Sequence, residues 1–96
     1  MENQKTVNFN KDDIEKLPNN KPAVYEILNK NNENIYTGIA ERSRVIDRIK
    51  EHLPSGKDSI PGGRRVKIIQ KTSINEAKES EERIILRSLP KYNKKK

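Results

Sequence analysis

The sequence predicts a small α/β domain of the α+β kind, a three-stranded and mainly antiparallel sheet flanked by helices, and three patterns carry that prediction. Two segments rich in Val, Ile, Tyr and Thr, at 23–28 and 34–38, flank Asn29-Lys30-Asn31-Asn32-Glu33 and read as a β-hairpin with polar turn residues. Val66-Lys67-Ile68-Ile69-Gln70 reads as a third strand. Ser73-Ile74-Asn75-Glu76 is a capping-box signature opening an amphipathic helix that runs to about Leu89, ahead of Pro90.

Residues 1–10 are polar, with Val7 and Phe9 as the only anchors, and form an arm or a short edge strand. Asn10 is placed to cap a brief helix over 11–17, stopped by Pro18. In the hairpin, alternation sets Ala23, Tyr25 and Ile27 on one face and Val24, Glu26 and Leu28 on the other, while Tyr36 lies opposite to Ile35 and Thr37. A pairing that brings Tyr25 and Tyr36 to one face gives the sheet two neighbouring phenols. Tyrosines in a hairpin also serve as half-buried packing residues with wet hydroxyls. Gly38 ends the second strand, where the missing side chain lets a helix or ligand come close.

A helix over 43–53 follows, with Val45, Ile46, Ile49 and Leu53 on its apolar face and Arg44, Arg48 and His52 along one edge. Arg48 and His52, one turn apart, suit a phosphate; the structural alternative pairs Arg48 with Asp47 or Glu51. Residues 54–64 make a polar, Gly/Pro-rich loop that is either mobile and functional or merely exposed, and Lys57, Arg64 and Arg65 are available there to a nucleic-acid backbone. On the last helix Ile74, Ala77, Ile84, Ile85 and Ser88 share one side. Glu81 falls in the middle of that side, whereas Glu76, Glu79 and Glu82 point to the flanks or the back. A carboxylate on an apolar stripe asks for a cationic partner: Arg48, Lys67 or a divalent metal.

Ninety-six residues, 30% of them hydrophobic, make one domain with a thin core. With 21 Lys and Arg against 14 Asp and Glu the net charge is +7, which points to polyanionic partners, nucleic acid first and an acidic membrane surface second. The chain has no Cys and one His, so disulfides, thiolate metal sites and a polyhistidine zinc site are excluded. The first ten residues lack the apolar core of a signal peptide, and no apolar run approaches membrane-spanning length, so a cytoplasmic location and no membrane partner are expected.

Taken together these residues resemble the GIY-YIG nuclease family. The two tripeptides of its hallmark correspond to Ala23-Val24-Tyr25 and Tyr36-Thr37-Gly38, with ten residues between the tyrosines. Arg48 matches the family's arginine on the first helix and His52 the histidine one turn later. Glu81 aligns with its metal-binding glutamate, and Pro90 and Asn93 with its closing Pro and Asn. Ala23 stands where Gly is usual and Thr37 where Ile is usual. The stretch from Tyr36 to Arg48 is longer than the family's common form, which makes Arg44 a second candidate.

The resemblance implies a GIY-YIG fold over 22–93, preceded by an extension at 1–21 and followed by a basic tail at 94–96. It implies a metal-dependent endonuclease that hydrolyses phosphodiester bonds in DNA, with RNA not excluded, of repair, restriction or mobile-element type. Glu81 would hold Mg²⁺ or Mn²⁺, and Arg48 would bind a phosphate oxygen. Tyr25 would act as general base or position the water, with Tyr36 orienting water or phosphate. A phenol suits such a base only if Arg48, His52 and the metal lower its pKa. His52 would take the proton from Tyr25 or serve as the base itself, and Asn93 would brace the site. Arg44, Lys57, Arg64 and Arg65 would contact nucleic acid, and targeting would need a homodimer or a partner protein. The alternatives are a catalytically silent nucleic-acid-binding module of the same fold and a small basic RNA-associated protein; the latter leaves an inward Glu81 unexplained.

Overall fold

Over the described residues, 3–93, the computed structural model contains β1 (Gln4–Asn8), α1 (Lys11–Ile14), β2 (Ala23–Leu28), β3 (Asn34–Ala40), α2 (Val45–Lys50), β4 (Arg65–Gln70) and α3 (Ile74–Ser88). A 3-10 turn at Lys91–Asn93 closes the order, and the basic tail at 94–96 lies outside the described residues. The hairpin forms as the alternation predicts: Tyr25 pairs with Gly38 and Ile27 with Tyr36, so both phenols project from one face. The register slips between Ile27 and Leu28, where Asn34 rather than Ile35 becomes the next partner. This bulge corrects the expectation that Ile35 faces away from Tyr36. The extra residue turns Ile35 into the same core cluster against which Tyr36 packs.

The sheet has four strands, not three, in the order β1-β4-β2-β3, with every neighbour antiparallel. The added strand is β1, most of it exposed, with Val7 half-buried. Its existence depends on backbone pairing with β4, some sixty residues away in sequence, and its own side chains carry almost no strand signal. Residues of the N-terminal extension therefore belong to the same sheet as the rest.

The helices are shorter than expected. After Ile14 the chain tightens, with Lys16 bonded to Asp13 and Leu17 to Ile14, so α1 ends early while Leu17 is still buried. Likewise α2 stops at Lys50, and His52 and Leu53 continue as tighter turns bonded to Ile49 and Lys50. At its start Arg44 supplies no side-chain cap. Asn19 does so from far away in sequence, its Oδ1 accepting from the amides of Val45 (2.9 Å) and Ile46 (3.3 Å), while its carbonyl accepts from Ser43. Helix α3 begins as predicted, with Ser73 Oγ accepting from the Glu76 amide, but the Glu76 carboxylate reaches Thr72 rather than closing back on Ser73. Leu89, in the left-handed region at φ 48°, ends it before Pro90.

Two cores result. The tyrosine face of the sheet joins Ile14, Leu17, Val45, Ile49 and Ile60 in the larger cluster, covered by α1, α2 and the loop after α2. The opposite face packs Val24 and Ile69 against Ile84 of α3.

Replacing Asn19 by Ala removes the cap of α2 and is expected to cost about 1 kcal/mol of folding stability. Urea denaturation with an unchanged m-value would verify it; an unchanged midpoint would show that the cap is dispensable.

Candidate active site

Tyr25 is buried on β2 with no exposed surface, and Gly38 is what admits it. A Cβ on Gly38 would sit 2.6 Å from both Cζ and Oη of Tyr25 and 3.0 Å from the Tyr36 ring. The Tyr25 hydroxyl lies 2.8 Å from Nε2 of His52, which is also fully buried. On the far side of the imidazole, Nδ1 is 2.9 Å from the Asp58 carbonyl oxygen, with the Asp58 carboxylate at 3.8 Å. A carbonyl only accepts, so Nδ1 carries the proton and Nε2 accepts from the Tyr25 O–H. Tyr36 completes a triad of rings, with its centroid 4.8 Å from His52 and 6.3 Å from Tyr25.

Burial decides the ionisation of these phenols. It pushes the Tyr25 hydroxyl far above the usual phenol range, with Tyr36 adding to the effect, and the pull of Arg48 in the other direction is outweighed. Tyr36 is raised as well, first by burial and then by Asp58 and Glu81, again against Arg48. This corrects the expectation of positive charge lowering the phenol pKa: in this arrangement both tyrosines are neutral hydrogen-bond donors. Of the two, only Tyr36 reaches solvent.

Arg48 is close enough to act on both phenols, and its Nη1 is bonded to Glu51 Oε1 at 2.8 Å, the local pairing that its sequence neighbours allowed. Glu81 is half-buried at the margin of α3's inward stripe, whose centre is Ala77, Ser80 and Ile84. Placing it at the centre is therefore corrected by part of a turn, and buried Ser80 occupies that place instead. Among the glutamates of α3, Glu81 is still the one drawn out of full exposure. Asn93 clamps the free edge of β3: Oδ1 accepts from the Thr37 amide at 2.6 Å and Nδ2 donates to the Thr37 carbonyl at 2.9 Å.

The four cations expected to meet nucleic acid are all exposed but do not form one surface. Arg44 lies one turn before Arg48, and Lys57 stands 3.8 Å from Glu51 beside the same helix. Arg64 and Arg65 sit at the hairpin-turn end of the sheet, where Arg65 pairs in register with Leu28 and donates to Asn32, on the face away from the tyrosines.

The model of the GIY-YIG catalytic domain matches residues 21–94 of the 96-residue chain. The chain belongs to the GIY-YIG family. That family is of nuclease type, and the matched range of this GIY-YIG domain includes the tyrosine pocket. No curated protein and no solved structure matches the chain. Among the described residues no helix is long and apolar enough to cross a membrane.

A divalent ion of the kind that GIY-YIG nucleases generally use would find no closed cage, since no three His, Cys, Asp or Glu side chains gather among the described residues. A lone carboxylate does not by itself conflict with Mg²⁺. A single half-buried carboxylate, Glu81, acts on the Tyr36 phenol, and Mg²⁺ characteristically takes one or two carboxylates and fills its remaining positions with water and phosphate oxygens. Asp58 and Asn19 escaped sequence reasoning: Asp58 holds the imidazole from a loop whose composition does not announce it, and Asn19 supports the site only indirectly, by capping α2 from a distant segment.

Two outcomes follow. Gly38→Ala forces the Tyr25 ring to move and is expected to lower stability by about 1–3 kcal/mol, measurable by denaturant melts. For Tyr25 the linkage has a definite sign: the unfolded phenol ionises near pH ~10 while the folded one keeps its proton, so stability falls as pH rises above about 10. Tyr25→Phe should show a shallower alkaline loss while costing about 1–3 kcal/mol at neutral pH, because His52 Nε2 is left without its donor. Parallel alkaline slopes for the two proteins would contradict this.

Proposed function

We propose that this GIY-YIG domain is a metal-dependent endonuclease that hydrolyses phosphodiester bonds in DNA. The observation that supports the reading most is the chain of contacts from Tyr25 Oη through His52 to the Asp58 carbonyl, set behind a solvent-facing rim of Tyr36, Arg48 and Glu81. Arg48 would leave Glu51 and grip a nonbridging phosphate oxygen, where a guanidinium offsets the charge that builds in the transition state. Tyr36, a neutral donor at the rim, would orient the phosphate or the attacking water.

Because Tyr25 is sealed, the water would reach it only as the phosphate seats. The Tyr25 oxygen would then take the water's proton as its own passes to His52 Nε2, and the Asp58 carbonyl and carboxylate would steady the imidazolium. No free phenolate is needed at any point, which suits a phenol held protonated by burial. A bound Mg²⁺ or Mn²⁺ held by Glu81 would supply charge stabilisation for the phosphate and the leaving oxygen.

Extents of 30 × 30 × 23 Å span about nine base pairs at ~3.4 Å each, too short for a long recognition sequence, so targeting would come from a second copy or a partner protein in the cytoplasm. The test is relaxation of supercoiled plasmid, with branched DNA and RNA in parallel, in Mg²⁺ or Mn²⁺ against EDTA. Glu81→Ala is expected to abolish metal-dependent nicking, Arg48→Ala to slow it about 10²–10³-fold, and Tyr25→Phe about 10²-fold or more. Binding without cleavage on every substrate and metal would assign the fold to a silent binding module instead. Wild-type rates in Tyr25→Phe would remove the relay alone.

A further inference from the structure

On the face of the sheet turned away from the tyrosines, α3 and the strands border an open cavity of about 270 Å³. Its lining holds four cations, Lys67, Lys71, Arg83 and Arg87, one acid, Glu26, and Ser80. Register explains the placement. Glu26 on β2 pairs with Lys67 on β4, and both point opposite to Tyr25 and its partner Ile68. From above, Ser80, Arg83 and Arg87 descend one side of α3 at spacings of three and four, with the Arg83 guanidinium 3.3 Å from Ser80 Oγ.

The floor of the cavity is buried, whereas its two arginines stand exposed at the rim. Glu26 is 8% exposed, Lys71 8% and Ser80 6%. Glu26 faces Lys67 across the ladder, yet among the described residues it forms no ion pair with Lys67, Arg83 or Arg87. Glu26 and the cations therefore face one cleft, and a ligand entering it meets both: cations for an anionic end and Glu26 for a hydrogen-bond donor. The volume equals roughly nine waters at ~30 Å³ each, room for a phosphate and a sugar and too little for a stacked, paired step.

We propose that this cavity is a nucleotide site, separate from the tyrosine pocket, in which Arg83, Arg87 and Lys67 hold a phosphate and Glu26 accepts from a sugar hydroxyl or a base amino group. A bare phosphate is the poorer ligand, because Glu26 repels it. The occupant is a nucleotide, supplied either free or as one unit of a strand laid against the back of the sheet. The site stands whether or not the tyrosine pocket cuts DNA.

The experiment is a titration of the full, isotope-labelled chain in EDTA, followed by amide NMR, with three probes: a deoxynucleoside 5′-monophosphate, inorganic phosphate and a short single-stranded oligonucleotide. The mononucleotide is expected to move the resonances of Lys67, Ser80, Arg83 and Arg87 more strongly than those of Tyr25, Tyr36 and Arg48. Arg83→Gln with Arg87→Gln should weaken it at least about tenfold. Both arginines are exposed, so the double variant should melt with the wild type, and Lys67→Gln gives an independent second reading. Glu26→Gln should tighten inorganic phosphate and weaken the mononucleotide. If the oligonucleotide moves the same resonances and loses affinity in the double variant, the source is a strand; if only the mononucleotide does, it is the free nucleotide. Shifts confined to the tyrosine face, an unchanged affinity in the double variant, or inorganic phosphate binding as well as the mononucleotide would each overturn the proposal.

Discussion

The hydrogen bond between Tyr25 and His52 is the constraint around which the tyrosine side of the molecule is arranged. Both groups are removed from water, so each must satisfy the other, and the geometry holds only if four separate segments agree. Strand β2 supplies the phenol, Gly38 of β3 leaves the space for it, the tightened turn after α2 brings in the imidazole, and Asp58 fixes its tautomer. Because the donor direction is set by a backbone carbonyl, it does not depend on the rotamer of any exposed side chain. The phenol and the imidazole prepared in this way are both neutral at rest, with the phenol's proton aimed at Nε2.

The segment that supplies Asp58 explains why the pair stays closed. Residues 54–64 have the composition of a loose loop, yet the Asp58 amide bonds to the Glu51 carbonyl, the Ile60 amide bonds to the His52 carbonyl, and Ile60 is buried. The loop is thus stapled to the end of α2 at the level of the imidazole. Its opposite wall is the β3 edge, where Asn93 takes up both polar groups of Thr37. An unpaired strand edge would otherwise offer those groups to water or to another chain.

What the sequence made legible was whatever is written in local periodicity. Alternation in the hairpin put Tyr25 and Tyr36 on one face, the capping box located the start of α3, and the helical wheel separated Glu81 from its exposed neighbours. What stayed hidden depends on contacts between distant segments. Strand β1 was legible only as one of two alternatives, an arm or a short edge strand, because its pairing is drawn from the β4 backbone, and the cap on α2 comes from Asn19 rather than from the residues preceding the helix. The bulge at Ile35 broke strict alternation where one extra residue entered the ladder. The direction of the tyrosine pKa shifts was misread for a related reason: the nearby cations were visible in the sequence, whereas the extent of burial, which outweighs them, was not.

The two faces of the sheet handle charge in opposite ways, and the difference follows from how closely each acid approaches its base. On the tyrosine side Arg48 is held by Glu51 at 2.8 Å, Lys57 leans toward the same carboxylate, and Asp58 and Glu81 stand near the phenols. Charges in that arrangement largely cancel at a distance, and the Arg48 guanidinium already spends one of its donors on Glu51. On the far side Glu26 lines one cavity with four cations, and among the described residues it forms no ion pair with Lys67, Arg83 or Arg87. A net charge of +7 therefore does not describe an evenly basic surface. The cations of α3 are themselves offset by its four glutamates, so what distinguishes the far side is where Arg83 and Arg87 stand relative to Glu26 rather than an excess of charge on that helix.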